Sequence, residues 1–262
     1  MLKFKILIFL ITSFPFLRMF FVYQYPVRTK LILYRRRRNP ELVKKVYDLL
    51  HKHNSYFRLL NEQEQKKFIS RTLKIEIHKR FVPAEGIEID FRHRILVSSV
   101  ITQLTFGFAR YYDLPNFHLI QIYPDTFYSG ILNAHAKGLT FSSGRILMSW
   151  SHFDHGMLHT SDNIHLGLHE FAHAMMLQFD NFRTNIHWKY WDKSATHAIE
   201  ITKSQEDSFF RRYGTNNKHE FWAVCVETFF ESPIEFKTHF PDLYSHTCKI
   251  LRQDISHRIQ QY

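Results

Sequence analysis

The feature that most restricts the fold of this chain is the run His-Glu-Phe-Ala-His at positions 169–173, which fits the pattern H-E-x-x-H. On a helix, residues four positions apart share one face, so the imidazoles of His169 and His173 can reach the same metal ion. The surrounding residues 166–177 are largely apolar. Polar side chains are costly in such a helix unless they are used. The segment is therefore predicted to be a buried helix that carries two metal ligands.

The glutamate inside this motif has a separate predicted role. Glu170 lies about 100° around the helix from His169, so it can address a water molecule near the metal without being a ligand. Zinc lowers the pKa of such a water to about 7 and polarises a carbonyl group. A neighbouring carboxylate can then take the proton and pass it to a leaving amine. The motif therefore predicts peptide hydrolysis with Glu170 as the general base.

A catalytic zinc site needs a third protein ligand. The position at which a metzincin would carry a third histidine is Phe179. A second apolar stretch, Glu220–Phe230, carries Glu220 and Glu227 seven positions apart, hence on one helical face. A solvated acidic stripe would be the ordinary explanation of such a pair. Because all the residues between them are apolar, the pattern favours carboxylates directed at a cation, but it does not choose between the two.

Several blocks of the sequence resemble, in the same order, the zinc peptidases related to Mlc titration factor A. The similarity spans roughly residues 45 to 245. The blocks are Tyr56-Phe-Arg-Leu-Leu-Asn-Glu-Gln-Glu, Lys79-Arg-Phe-Val-Pro-Ala-Glu-Gly-Ile-Glu, Arg145-Ile-Leu-Met-Ser-Trp, Gly167-Leu-His-Glu-Phe-Ala-His and Glu220-Phe-Trp-Ala-Val-Cys-Val-Glu-Thr-Phe-Phe. The last two blocks together are much more specific than H-E-x-x-H alone.

This resemblance implies a role for several residues. Glu220 would be the third ligand of one zinc ion per chain, and Glu227 would lie beside the ligands. Tyr213, seven positions before Glu220, would assist catalysis, and a phenol there could donate to the oxyanion of the tetrahedral intermediate. The strand Arg145–Trp150 would be the edge that pairs with an extended substrate.

The resemblance also implies a catalytic domain similar in plan to that of anthrax lethal factor, with a peptide or protein as substrate. It further implies aminopeptidase-like activity, a cytosolic location and binding of a transcriptional repressor. A rival hypothesis follows: a membrane-tethered regulatory protein that sequesters a partner such as a repressor, with zinc in a structural role.

The pattern of apolar residues and breakers predicts an α+β fold that is mostly helical, with a small sheet before the motif helix. The motif and the resemblance imply that residues 39–262 form a zincin-like metallopeptidase domain of this kind. Helices are predicted at 41–52, 62–79, 94–106, 166–177 and 220–230, and strands at 117–123 and 144–150. Residues 154–163 are predicted to be a loop.

Residues 1–38 form a hydrophobic segment with a basic flank. The stretch 4–25 is apolar apart from a few positions, including Lys5 and Arg18, and it is about as long as a membrane-spanning helix. A signal peptide is the rival, but no small-residue cleavage site follows. Because Arg35–Arg38 follow the segment, the catalytic domain is expected on the cytoplasmic side of the membrane. A purely cytoplasmic protein is the alternative.

The formal net charge is +11, with only two cysteines in 262 residues. Positive charge alone could attract nucleic acid, but no nucleic-acid-binding motif is present, so this function is not expected. Two isolated cysteines do not make a disulfide scaffold or a thiolate metal site. Any metal must therefore be held by histidine and carboxylate.

Overall fold

A computed structural model of the chain describes residues 30–110, 112–179, 186–205 and 207–260. The chain divides into two units, Met1–Lys45 and Val46–Tyr262. The predicted boundary after residue 38 stays a prediction. The predicted hydrophobic helix at 4–25 lies outside the described residues, and within them no helix has the length and apolar character needed to cross a membrane.

Helices make up most of the described chain, as predicted. Residues 30–37 are helical (α1). The other helices are α2 (Pro40–His53), α3 (Ser55–Arg58), α4 (Glu62–His78), α5 (Phe91–Leu104), α6 (Trp150–Leu158), α7 (Leu166–Phe179), α8 (Ile186–Ser204), α9 (Lys218–Glu231), α10 (Pro233–His239), α11 (Pro241–Leu251) and α12 (Ile255–Ile259). A 3₁₀ segment, Arg212–Asn216, precedes α9.

Local sequence signals fix several of these helix starts. Asn61 and Glu64 form a capping box at the start of α4, where each side chain bonds to the other's backbone N–H. Asp90 and His93 do the same for α5. Such caps satisfy backbone donors that have no partner within the helix, so they explain why the helices begin at these residues.

Four strands form the main sheet, in the order β1 (Arg80–Pro83), β2 (Leu119–Tyr123), β6 (Arg145–Ser149), β5 (Gly138–Phe141). β1 and β2 are parallel, as are β2 and β6, whereas β5 runs antiparallel to β6. A separate hairpin consists of β3 (Phe127–Ser129) and β4 (Ala134–Ala136). The small sheet before the motif helix is thus present, and its outer strands are β1 and β5.

Two sequence-based expectations are wrong here. The strand 145–149 was expected at the sheet edge, but it lies between β2 and β5 and uses both of its backbone sides for pairing. The edge on this side is β5, for which we predicted no element. Residues 154–158, predicted as loop, belong to α6, whose first turn is capped by Ser149 accepting from the backbone N–H of His152.

The motif helix packs against α9 in the core. Leu168, Phe171 and Met175 on α7 are completely buried, as are Phe221 and Trp222 on α9. The indole Nε1 of Trp222 donates to the carbonyl of Ala172 at 3.0 Å. Burying one large apolar side chain stabilises a fold by about 1.5–3 kcal/mol, so this shared core holds the two helices at a fixed separation.

Candidate metal centre

The two histidines of the motif lie one turn apart on α7, and their rings converge. The Nε2 atoms of His169 and His173 are 3.1 Å apart. The exposed fraction of each side chain is only 15 %. The apolar side of α7 is packed into the core, so the imidazoles project from the remaining side toward α9.

Glu220 approaches the same point from the first turn of α9. Its Oε2 lies 3.2 Å from Nε2 of His169, and its Oε1 lies 3.5 Å from Nε2 of His173. The side chain of Asn217 caps α9 by accepting from the backbone N–H groups of His219 and Glu220. This cap fixes the turn from which Glu220 projects.

Ligand atoms of His169, His173 and Glu220 all lie within 4.8 Å of one another, and no other set of three or more such residues meets that test in the described part of the chain. Two imidazoles and one carboxylate are the donor set of several catalytic zinc sites. The distances between these donors are compatible with ligands about 2.0–2.2 Å from a shared tetrahedral ion. The residues therefore fit a divalent metal, and zinc in particular.

Glu227 contacts His169 at the ring nitrogen that faces away from Glu220. Its Oε1 lies 2.5 Å from Nδ1 of His169, on the opposite side of that ring from Glu220. Its Oε2 accepts from Nη2 of Arg211 at 2.8 Å and from the backbone N–H of His165 at 2.9 Å. Its side chain is 2 % exposed. Glu227 thus orients the His169 ring, and the geometry separates two carboxylates that sequence spacing left equivalent.

The pKa values in the site reflect how closely these charges are placed. Burial opposes protonation of His169, but hydrogen bonds with the Glu220 and Glu227 carboxylates outweigh it and raise its pKa to about 10. Burial and the nearby charge of His169 lower the pKa of His173 to about 4. A positive charge is therefore favoured between the two carboxylates. A metal ion would compete with the proton for this position.

Glu170 faces β5 and is shielded from water. Its Oε2 accepts from the hydroxyl of Thr140 at 2.7 Å. Gly138 lies against the same carboxylate, and a Cβ at position 138 would come within 2.6 Å of the Glu170 Cδ. Burial raises the pKa of Glu170 to about 7. A carboxyl group with that pKa can both accept and return a proton near neutral pH.

Tyr213 lies at the open side of the site, on the 3₁₀ segment before α9. It is 57 % exposed, and its ring centroid is 6.5 Å from that of His169. Burial of part of the ring and the Glu220 charge raise the pKa of Tyr213 to about 12, so the phenol is a proton donor at neutral pH. Gly214 allows the segment to pack closely on Val224, since a Cβ there would lie 2.9 Å from Cγ2 of that residue.

Sequence reasoning missed three residues that shape the site: Arg211, Thr140 and Gly138. Only Arg211 could have been identified from the sequence, because a cation close in sequence to Tyr213 could form an ion pair with the buried Glu227. Thr140 and Gly138 belong to a four-residue strand with no distinctive pattern. His165 lies directly before the first residue of α7. It is a cap, since its Nδ1 accepts from the backbone N–H of Leu168 at 3.3 Å, and it is 5 % exposed.

Comparisons with known proteins identify relatives of this chain. The family model described as Glucose-regulated metallo-peptidase M90 matches residues 30–252. Mlc titration factor A of Yersinia pestis (strain Pestoides F) is 23% identical, over 78% of this chain and 83% of the relative. Mlc titration factor A of Yersinia pseudotuberculosis serotype O:1b (strain IP 31758) gives the same values. The resemblance drawn from the sequence blocks is confirmed. This chain belongs to the glucose-regulated metallo-peptidase M90 family.

Proposed function

We propose that this protein is a zinc-dependent metallopeptidase in which His169, His173 and Glu220 hold the ion and Glu170 is the general base. The observation that carries the proposal is the convergence of three ligand atoms within 4.8 Å of one another, one residue away from a buried carboxylate. Membership of a metallo-peptidase family supports the same reaction class.

The residues of this chain divide the work of peptide hydrolysis. A zinc ion, when bound, supplies Lewis-acid chemistry that acidifies water and polarises the scissile carbonyl. Glu170 takes the proton from the attacking water and returns it to the leaving amine. Thr140 holds the Glu170 carboxylate in place through its 2.7 Å hydrogen bond. Tyr213 donates to the developing oxyanion.

The substrate is proposed to pair with β5. This strand lies at the edge of the sheet, and Thr140 on the same strand bonds to Glu170. A peptide that added a strand at this edge would be held by backbone hydrogen bonds next to the general base.

The general base is tested with Glu170→Gln, which keeps size and loses basicity. We expect close to one zinc per chain by metal analysis, and hydrolysis of a casein-derived peptide mixture reduced by about 10²–10⁴-fold. Glu200→Gln, an exposed glutamate on α8, is the matched control and should retain full activity. Retained activity in Glu170→Gln would reject this residue as the base.

The third ligand is tested by metal analysis of Glu220→Ala beside Glu227→Ala. We expect the zinc content of Glu220→Ala to fall far below one per chain. Glu227→Ala should keep measurable zinc with weaker affinity. Full zinc content in Glu220→Ala would overturn the ligand set.

A second candidate function is binding of a regulatory protein. The relatives are named titration factors of Mlc, which favours a role in which a partner, such as a transcriptional repressor, is bound and removed. In this case Glu170→Gln would bind an Mlc-type repressor in a calorimetric titration as tightly as the wild type. Loss of binding in that variant would argue that the peptidase site itself is needed.

We also propose that residues 4–25 attach the protein to a membrane, with the catalytic domain on the cytoplasmic side. The support is the apolar stretch and the Arg35–Arg38 cluster that follows it. Cell fractionation of the full chain tests this, and recovery entirely in the soluble fraction would reject it in favour of a cytoplasmic protein.

A further inference from the structure

A second concave site lies beside the metal centre, where the end of α7, the start of α8 and the start of α9 meet. Four large side chains line it, Met176, Phe179, Trp188 and Trp191, and we call it the tryptophan pocket. It is an open cleft of about 450 Å³, within the roughly 300–1,000 Å³ range of ligand-binding clefts. It is therefore large enough for a bulky side chain.

The pocket and the metal centre share their helices. Met176 follows His173 by three positions on α7, so the two side chains are neighbours along that helix. His219, which also lines the pocket, directly precedes Glu220 on α9. A ligand whose polar part lies at the metal centre can thus extend a side chain into the pocket.

The walls of the pocket are aromatic and held by other rings. The Trp188 ring meets those of Trp191 and Trp222 edge-on, at centroid distances of 5.8 and 4.8 Å. Trp191 is 1% exposed, and its Nε1–H has no hydrogen-bond partner among the described residues. These contacts make a rigid apolar surface that needs no rearrangement to accept an apolar group.

The rim of the pocket is polar and carries excess positive charge. Lys218 Nζ lies 2.6 Å from Asp192 Oδ1, so these two charges offset each other. Lys189 is a further cation on the rim and is exposed. Aromatic walls could attract a cationic ligand, but a lysine or arginine entering here would meet Lys189 first. The rim therefore disfavours a basic side chain.

We propose that the tryptophan pocket is the subsite for a large apolar, preferably aromatic, side chain next to the bond that is cleaved. This inference rests on the proposed peptidase function, because it places a peptide between the metal centre and the pocket. Its apolar walls, its volume and its position beside His173 and Glu220 select the class of side chain.

The test uses binding rather than hydrolysis, so that the pocket is examined separately from the chemistry. The probes are alanine pentapeptides that carry one Phe, Lys or Asp at each position in turn, titrated calorimetrically into zinc-loaded full-length Glu170→Gln. At one position, Phe should lower the Kd by about tenfold or more relative to Ala, because a buried apolar group is discriminated by roughly 10–200-fold. Lys and Asp at that position should give no such gain.

Met176→Trp, made in the same background, should fill the pocket and bring the Kd values for Phe and Ala peptides within about twofold, with zinc content unchanged. Ile234→Trp, at an exposed apolar position on α10, is the matched control and should keep the preference. As a surface variant that does not disturb the core, Lys189→Glu should improve binding of the Lys peptide several-fold, whereas Lys193→Glu, exposed on the same helix, should not.

Equal binding of Phe and Ala peptides at every position would overturn the proposal. An unchanged preference in Met176→Trp would do the same. If the wild type hydrolyses peptides while either result holds, only the pocket assignment fails. If Phe is preferred in binding but the wild type cleaves nothing, the pocket stands as a binding site and the peptidase proposal fails.

Discussion

At the scale of single residues, Glu227 illustrates how a buried carboxylate can position a proposed metal ligand. It lies against His169, Arg211 and the backbone of His165, and its side chain is almost completely buried. A carboxylate in this position fixes the orientation of the His169 ring and keeps a proton on its Nδ1. This leaves Nε2 free to bind a metal.

We expect Glu227→Gln to lower zinc affinity by about 10–100-fold without unfolding the protein. The amide keeps the shape but loses the negative charge that holds both His169 and Arg211. Competition with a chromophoric chelator measures the change. Glu235→Gln, exposed on α10, serves as control, and equal zinc affinity in the two variants would contradict the positioning role.

Glu231 is a buried carboxyl group that the proposed chemistry does not use. Both of its carboxylate oxygens are buried. Burial, together with the charges of Asp162 and Glu227, raises its pKa to about 8. In an unfolded chain the value would be about 4.3. Between these two values the folded state binds more protons, so this group lowers stability as pH rises through that range.

Glu231→Gln removes this titration. The free energy of unfolding of the variant minus that of the wild type should be larger at pH 8 than at pH 5, by at least about 1 kcal/mol. Urea denaturation at both pH values measures the gain, and Glu235→Gln should show none. A difference from the wild type that stays constant with pH would mean that Glu231 keeps an ordinary pKa.

At the scale of elements, β5 is the short strand that positions Glu170, the proposed general base. Thr140 binds the Glu170 carboxylate from this strand, and Gly138 leaves room for it. The antiparallel pairing of β5 with β6 fixes the strand from the opposite side. A strand of four residues therefore has an effect on the site well beyond its size.

Gly138→Ala should displace the Glu170 side chain, because the added Cβ would overlap its Oε1 and Cδ. A shift of about 1 Å in a reacting group can cost about 10²-fold in rate. We therefore expect peptide hydrolysis to fall by about that factor, with zinc content and melting temperature nearly unchanged. Gly130→Ala is the control, since a Cβ at Gly130 meets nothing within 4 Å. Equal activities in both variants would show that Glu170 tolerates the crowding.

The elements differ in how far the sequence could predict them. The helices α2, α4, α5, α7 and α9 have apolar periodicity, and their predicted bounds are close to the observed ones. α8 and β5 were not predicted. In α8, aromatic and charged residues mix without a clear apolar stripe, and β5 owes its place to contacts with Glu170 and β6. Such tertiary contacts leave no local pattern.

The same limit applies to the site. The H-E-x-x-H spacing brings His169 and His173 together through helix geometry alone, which is local. The choice between Glu220 and Glu227 depends on how α9 is rotated against α7, and this is set by core contacts such as Trp222 with Ala172. Helical spacing does not specify that rotation. The family resemblance implied Glu220 as the ligand without it.

At the scale of the whole molecule, the candidate metal centre would join two helices of the longer unit, Val46–Tyr262, that are far apart in sequence. A ligand that binds the folded state alone stabilises it by about 2.7 kcal/mol when present at 100 times its Kd. For a protein of this size, each kcal/mol shifts the melting temperature by about 2–4 °C.

Removal of zinc with a chelator should therefore lower the melting temperature by about 5–10 °C. Differential scanning calorimetry of the zinc-loaded and stripped protein measures the shift. His169→Ala should melt at the same temperature with and without zinc. A melting temperature of the wild type that does not respond to zinc would argue against a site that forms with the fold.

The separation of His173 and Glu220 along the chain has a topological consequence. An ion bound to both side chains would close residues 174–219 into a loop, with the ion linking its two ends. A single proteolytic cut inside that loop would not let the two fragments dissociate, because the cation and the packed helices would still hold them together. Chelation in mild denaturant would then release fragments that remain associated in its absence, so zinc in this protein would act as a reversible cross-link.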